Sequence, residues 1–181
     1  MNKMRFSTHD VCYIGIFTAI IAGCAQLSIP MPYGVPMTLQ TFAIPLAGIV
    51  LGTKNGTIST LVYILLGAIG APVFANFTGG LGVVLGPTGG FIISFPILAL
   101  ATGIAESKNS KVWLIIGIVL GTIINYLCGM LFFSLVLSKD LTAAFAACVL
   151  PFIPTAIIKI FMAAVLGKNI KNVLVKSRVL V

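Results

Sequence analysis

The sequence predicts an all-α integral membrane protein, and three observations carry that reading. Hydrophobic residues fill 59% of the 181 positions against 8% for Asp, Glu, Lys and Arg, and mean hydropathy is +1.17. A soluble domain with that balance would expose large apolar patches. The apolar residues also fall into long runs, and the charged residues sit almost entirely between those runs.

Apolar runs read against turn signals place helices at about 11–29, 37–52, 57–73, 88–105, 112–137 and 153–175, which makes six transmembrane crossings. The second run, about 16 residues, is near the lower limit for a span and is expected to share its crossing with the ordered loop before it. Residues 141–150 (LTAAFAACVL) are too short to span and read as a surface helix that returns the chain to Pro151. Neither linker nor repeat divides the chain, so 1–181 reads as a single transmembrane substrate-binding domain.

Sidedness follows from the basic residues, because cytoplasmic loops carry the Lys/Arg excess. Six crossings put Lys3, Arg5, Lys54, Lys108, Lys111, Lys168, Lys171, Lys176 and Arg178 on one face, and Lys139 alone on the other. Both termini are therefore expected in the cytoplasm, with the basic tail 168–181 at the lipid surface. This topology accounts for the net charge of +8 without nucleic acid, since the basic segments lack interleaved aromatics.

Several function classes fall away. The four cysteines are scattered without CxxC spacing and His9 is the single histidine, which leaves no metal framework. There is no GxxxxGK[ST], so the chain holds no P-loop, and residues 80–86 (GLGVVLG) do not form a dinucleotide fingerprint. The only acids, Asp10, Glu106 and Asp140, are expected at a terminus or in loops. No acid–base or nucleophilic constellation assembles, and no intramembrane carboxylate offers ion coupling. No enzyme activity and no cofactor are expected.

One charge breaks the pattern. Lys159 lies inside the apolar run 151–167 (PFIPTAIIKIFMAAVLG), where an ionised side chain costs at least about 2.5 kcal/mol unless it meets a cavity, a partner or the headgroups. It sits roughly 8 Å below the outer surface, five residues into the sixth helix. In the same outer half fall Thr38, Gln40 and Thr41 at the start of the second helix, Asn76 and Thr78 in the next outer loop, and Thr88 at the start of the fourth helix. That convergence predicts a ligand cavity.

The outer loops suit a cap over it. Residues 28–36 (SIPMPYGVP) hold three prolines and a glycine, a stiff non-helical segment. Residues 79–90 (GGLGVVLGPTGG) hold six glycines, among them Gly80 and Gly82, which allow close backbone approach to a ligand. Thr88, Gly89 and Gly90 open a helix whose N-terminal dipole favours an anion. On the first helix Gly15, Ala19 and Gly23, with Ala22 beside them, form a small-residue stripe that serves either packing in the bundle or docking on a separate membrane protein.

Together these segments resemble the BioY family, the biotin-binding S components of energy-coupling factor (ECF) transporters, across essentially the whole chain. The matching pieces are 36–41 (PMTLQT), 70–75 (GAPVFA), 79–82 (GGLG), 85–90 (LGPTGG) and 151–154 (PFIP) followed by Lys159. The resemblance implies a six-helix protein of the bacterial cytoplasmic membrane that captures biotin on its outer face. It also implies partners: a transmembrane coupling protein and two cytoplasmic ATPase subunits, which alone would use ATP. Thr38, Gln40, Asn76, Gly80, Gly82, Thr88, Gly89, Gly90 and Lys159 then become substrate-binding candidates, with Phe74 as an aromatic wall. The chain departs from the family at Ala156, where an acidic residue is usual one turn before the lysine, so Asn76, Gln40 or backbone carbonyls would have to accept the ureido N–H groups. An S component for another small carboxylated vitamin and a non-transporting scaffold are the alternative readings.

Overall fold

The computed structural model describes residues 7–31 and 34–177. Lys3, Arg5 and Arg178, and with them both chain termini, lie outside the described residues, as do Pro32 and Tyr33 of the proline-rich loop. Apart from one small ladder, an isolated bridge between Phe74 and Thr78 and the connecting loops, the described chain is helical. Its elements are α1 (Thr8–Gln26), β1 (Ser28–Ile29), β2 (Met37–Thr38), α2 (Gln40–Ala68), α3 (Leu81–Val84), α4 (Gly89–Glu106), α5 (Lys111–Leu137), α6 (Leu141–Cys148) and α7 (Ile153–Lys176). Short 3₁₀ turns cover Ala75–Phe77 and Leu150–Phe152.

Helix α1 starts on a capping box. The Ser7 hydroxyl accepts from the His9 amide, and the Asp10 carboxylate accepts from the Ser7 amide at 2.9 Å. Ile14, Phe17, Thr18, Ile21 and Ala25 form its buried face. After Leu27, β1 and β2 pair antiparallel, with Ser28 opposite Thr38 and Ile29 opposite Met37, so the proline-rich loop is closed at its base.

Helix α2 reverses in the middle. Gly52 stands at φ 76°, ψ −179°, a conformation open essentially to glycine alone. Beyond it the chain folds back, because a Cβ at Gly56 would come within 2.8 Å of the Ala47 carbonyl oxygen, and Gln40 is hydrogen-bonded to Tyr63. The limbs 40–51 and 53–68 therefore run antiparallel. Five helical stretches among the described residues are long and apolar enough to cross a membrane, and this one doubles back, so the chain makes six passes. The predicted second and third helices are both present, joined at one glycine rather than by a loop over 53–56. The first limb is short, about 18 Å against a hydrocarbon core of about 30 Å, and β2 with buried Val35 extends it.

Helix α4 packs between α2 and α5. A Cβ at Gly48 would touch the Ala99 carbonyl at 2.7 Å, and one at Gly90 would touch the Cys128 carbonyl at 2.3 Å. Small residues thus let backbones approach where no hydrophobic effect drives the helices together. The core runs along the bundle axis through Phe17, Ile44, Ala47, Phe95, Leu98 and Ala99. Large apolar side chains such as Leu65, Ile93, Leu120 and Phe161 are exposed around the outside, where lipid would meet them.

The bundle has two chemically different ends. One gathers the α1 start, the turn at Gly52, Lys54, the end of α4 and the lysines late in α7. Asn55 donates to Asp10 there, and Glu106 pairs with Lys171 at 3.2 Å and Lys168 at 3.8 Å. Glu106 corrects an expectation: it is not a loop residue but the last residue of α4, 6% exposed, neutralised by two lysines. The other end holds the β-ladder, the loops 69–88 and the α5–α6 turn with Lys139.

Candidate functional site

The second end contains a cavity of about 260 Å³. Every long element except α1 contributes to its wall. The approach to α2 supplies Val35, Met37, Thr38, Gln40 and Thr41; the following loop supplies Phe74, Ala75, Asn76 and Thr78. Val83 and Thr88 lie beside Phe91, Ile92 and Phe95 of α4, Tyr126 of α5, and Phe152 and Lys159 at the head of α7.

Aromatic rings give the wall its shape. Phe91 meets Tyr126 edge-on with centroids 6.2 Å apart, and Tyr126 tilts against Phe152 at 6.4 Å. Phe74 is 1% exposed, its ring pressed over Gly67 and edge-on to Tyr63 at 5.6 Å. Such a wall suits a compact apolar body with few polar groups.

Lys159 is the cation of the site. It is 8% exposed, and its Nζ turns inward and donates to the Thr38 carbonyl at 2.7 Å. Among the described residues no carboxylate pairs with Lys159, and Glu106 pairs with Lys168 and Lys171 at the opposite end. A buried charge with one neutral partner favours an anion beside it.

The amides are arranged in a relay. The Thr38 hydroxyl donates to Gln40 Oε1 at 2.7 Å, Gln40 Nε2 donates to the Tyr63 hydroxyl, and Tyr63 donates to the Val73 carbonyl at 3.2 Å. Gln40 lines the cavity, and its side chain bridges Thr38 to Tyr63 with one amide hydrogen outside the relay. Asn76 sits in the left-handed region at φ 57°, a conformation asparagine tolerates, and its Oδ1 accepts from Ser28 at 2.7 Å. Its amide nitrogen takes no part in that bond.

Four predicted glycines do not line the cavity. Gly80 stands at φ 99° and serves the turn into α3, while Gly82 faces outward. Gly89 and Gly90 are buried against the Val84 carbonyl and the Cys128 carbonyl of α5, so their role is close packing and not an anion nest. Of that segment only Thr88 reaches the cavity. The error has a physical source, since glycine serves sharp turns, close packing and ligand approach alike.

Sequence reasoning missed Gln26, at the end of α1. Its Nε2 donates to the Phe74 carbonyl at 3.0 Å and the Val73 carbonyl at 3.3 Å, and its Oε1 accepts from the Phe77 amide at 2.8 Å. One side chain thereby clamps the loop that presents Phe74 and Asn76. It also missed Phe91, Phe95, Tyr126 and Phe152, because an aromatic residue in an apolar helix gives no sign of which wall it faces. Pro45 and Pro96 carry a signal that was legible: lacking N–H groups, they provide no i+4 donor to the carbonyls of Thr41 and Ile92, both cavity residues.

The small-residue stripe of α1 lies elsewhere. Gly15, Ala19 and Gly23 are exposed, and a Cβ at Gly15 or Gly23 would meet nothing within 4 Å. Ala22 instead leans against the core. The stripe proper is thus free of the bundle.

A six-pass helical bundle with an apolar, single-cation cavity at one end and a basic opposite end defines a small-molecule-binding subunit of membrane transport. The BioY family model matches residues 1–176, and the chain belongs to the BioY family. A probable biotin transporter BioY of Pyrococcus horikoshii is 38% identical over 163 residues, 90% of this chain and 96% of that one. The biotin transporter BioY of Thermotoga maritima is 41% identical over 159 residues, 87% and 93% of the two chains. The crystal structure of the S component for biotin from an ECF-type ABC transporter superposes with a TM-score of 0.85 at 28% identity, covering 93% of this chain and 95% of that one.

Proposed function

We propose that this chain is the biotin-specific S component of an ECF transporter, a multi-pass cytoplasmic-membrane protein that captures biotin at the outer face for uptake and performs no chemistry on it. The observation that carries the reading is Lys159, a buried cation without a carboxylate partner at the head of an aromatic-walled cavity of about 260 Å³. Biotin supplies the matching parts: a carboxylate for the lysine, an apolar chain and thioether ring for the aromatics, and a ureido group for the polar rim. The Asn76 side chain and the Ile92 carbonyl, which Pro96 leaves without its i+4 donor, are the groups we assign to the ureido function.

The basic end faces the cytoplasm in this reading and the cavity faces outward. The chain needs no cofactor of its own. Its partners are a transmembrane coupling protein, which docks on the Gly15, Ala19 and Gly23 stripe, and two cytoplasmic ATPases that supply the work. Calorimetric titration of the purified protein with biotin tests the reading: saturable one-to-one binding is expected, and no binding together with a different small molecule extracted from the denatured protein would overturn it.

A further inference from the structure

Among the described residues, Thr41 differs from the buried serines and threonines of the helices. Thr18, Ser59, Thr60, Ser94, Thr102 and Thr122 each donate to the carbonyl four residues earlier, at 2.7 to 2.9 Å. Four residues before Thr41 is Met37, which belongs to β2, so no helical carbonyl lies beneath its hydroxyl. The Thr41 Oγ1 is buried without a hydrogen-bond partner among the described residues, and Thr41 lines the cavity.

The neighbouring polar groups have partners. Thr38 gives its hydroxyl to Gln40 and its carbonyl to Lys159, and Gln40 gives its amide to Tyr63. Thr41 follows Thr38 by three residues, so the unpaired hydroxyl and the Lys159 ammonium flank the same stretch of wall. A 120° turn about χ1 carries the hydroxyl into the position now held by the methyl group or by the Cβ hydrogen, the route by which it would meet a ligand in the cavity.

We infer that Thr41 is a further ligand-binding residue, whose hydroxyl donates a hydrogen bond to the carboxylate that Lys159 neutralises. The inference rests on the biotin reading above. A carboxylate has two oxygens and about four acceptor positions, so the ammonium and the hydroxyl are served together.

Titration of biotin into wild-type protein, Thr41→Val, Thr41→Ser, Lys159→Met and the Thr41→Val/Lys159→Met double variant tests it. Thr41→Val, nearly isosteric, should raise Kd about tenfold or more, as expected for a hydrogen bond to a charged group. Thr41→Ser, which keeps the O–H, should stay within about threefold of wild type. If both groups hold one carboxylate, the double variant loses distinctly less than the product of the single losses. An unchanged Kd in Thr41→Val, an equal loss in Thr41→Ser, or losses that multiply in the double variant would each overturn the inference while leaving the biotin reading intact. A wild-type protein that binds no biotin would overturn both.

Discussion

Lys159 is where residue chemistry decides the most. A long cationic side chain near a helix end has an easy escape to the headgroups, yet here it is buried and turned onto the Thr38 carbonyl. Lys159→Met removes the charge while keeping the length of the side chain. Biotin affinity should fall by about 1.5 to 3 kcal/mol, the range for a hydrogen bond to a charged group, with the melting temperature in detergent held or raised. An affinity equal to wild type in a titration would show that the ligand carboxylate lies elsewhere. Gln26 acts through position and not through contact. Gln26→Leu frees three backbone groups of the loop 73–77 and should weaken binding by about 1 to 2 kcal/mol, read in the same titration, although Gln26 is absent from the cavity wall.

At the scale of elements, the apolar runs of the sequence were a faithful guide, because the bilayer forces each run to be helical and long. The starts of α4 at Gly89 and α7 at Ile153 fall beside turn signals that the sequence displays openly, Thr88 and Pro154. The joint inside α2 was less legible: residues 53–56 (TKNG) read as a loop, whereas one glycine at positive φ, Gly52, turns the chain and leaves the rest helical. Gly52→Ala should therefore cost about 1 to 3 kcal/mol, seen as a lower melting temperature in detergent, while the more distant Gly15→Ala should cost little because open space receives its methyl group. For the site, the charged and amide residues could be read because polarity in an apolar run is conspicuous. The aromatic wall and the packing role of Gly89 and Gly90 could not, because facing and backbone distance leave no mark in composition. The same limit applied to the α1 stripe, whose spacing alone did not say whether bundle or partner covers it. Its exposure in the fold motivates a further expectation: Ala19→Leu or Gly23→Leu should preserve biotin binding by the purified protein yet abolish its co-purification with the coupling protein.

The whole molecule is a polarised bundle, with the cavity and its cap at one end and the lysine-rich contacts around Glu106 at the other. Nothing in the sequence provides a P-loop, and the one buried acid, Glu106, is tied to two lysines far from the cavity. Capture therefore falls to this chain and energy to its partners. Reconstitution of the purified protein alone into liposomes, with labelled biotin outside and an ion gradient across the membrane, tests that division most directly. Binding is expected to saturate at one biotin per protein, with internal biotin never exceeding the external concentration. Sustained accumulation against the concentration gradient by this chain alone, or the absence of any saturable binding, would contradict this expectation.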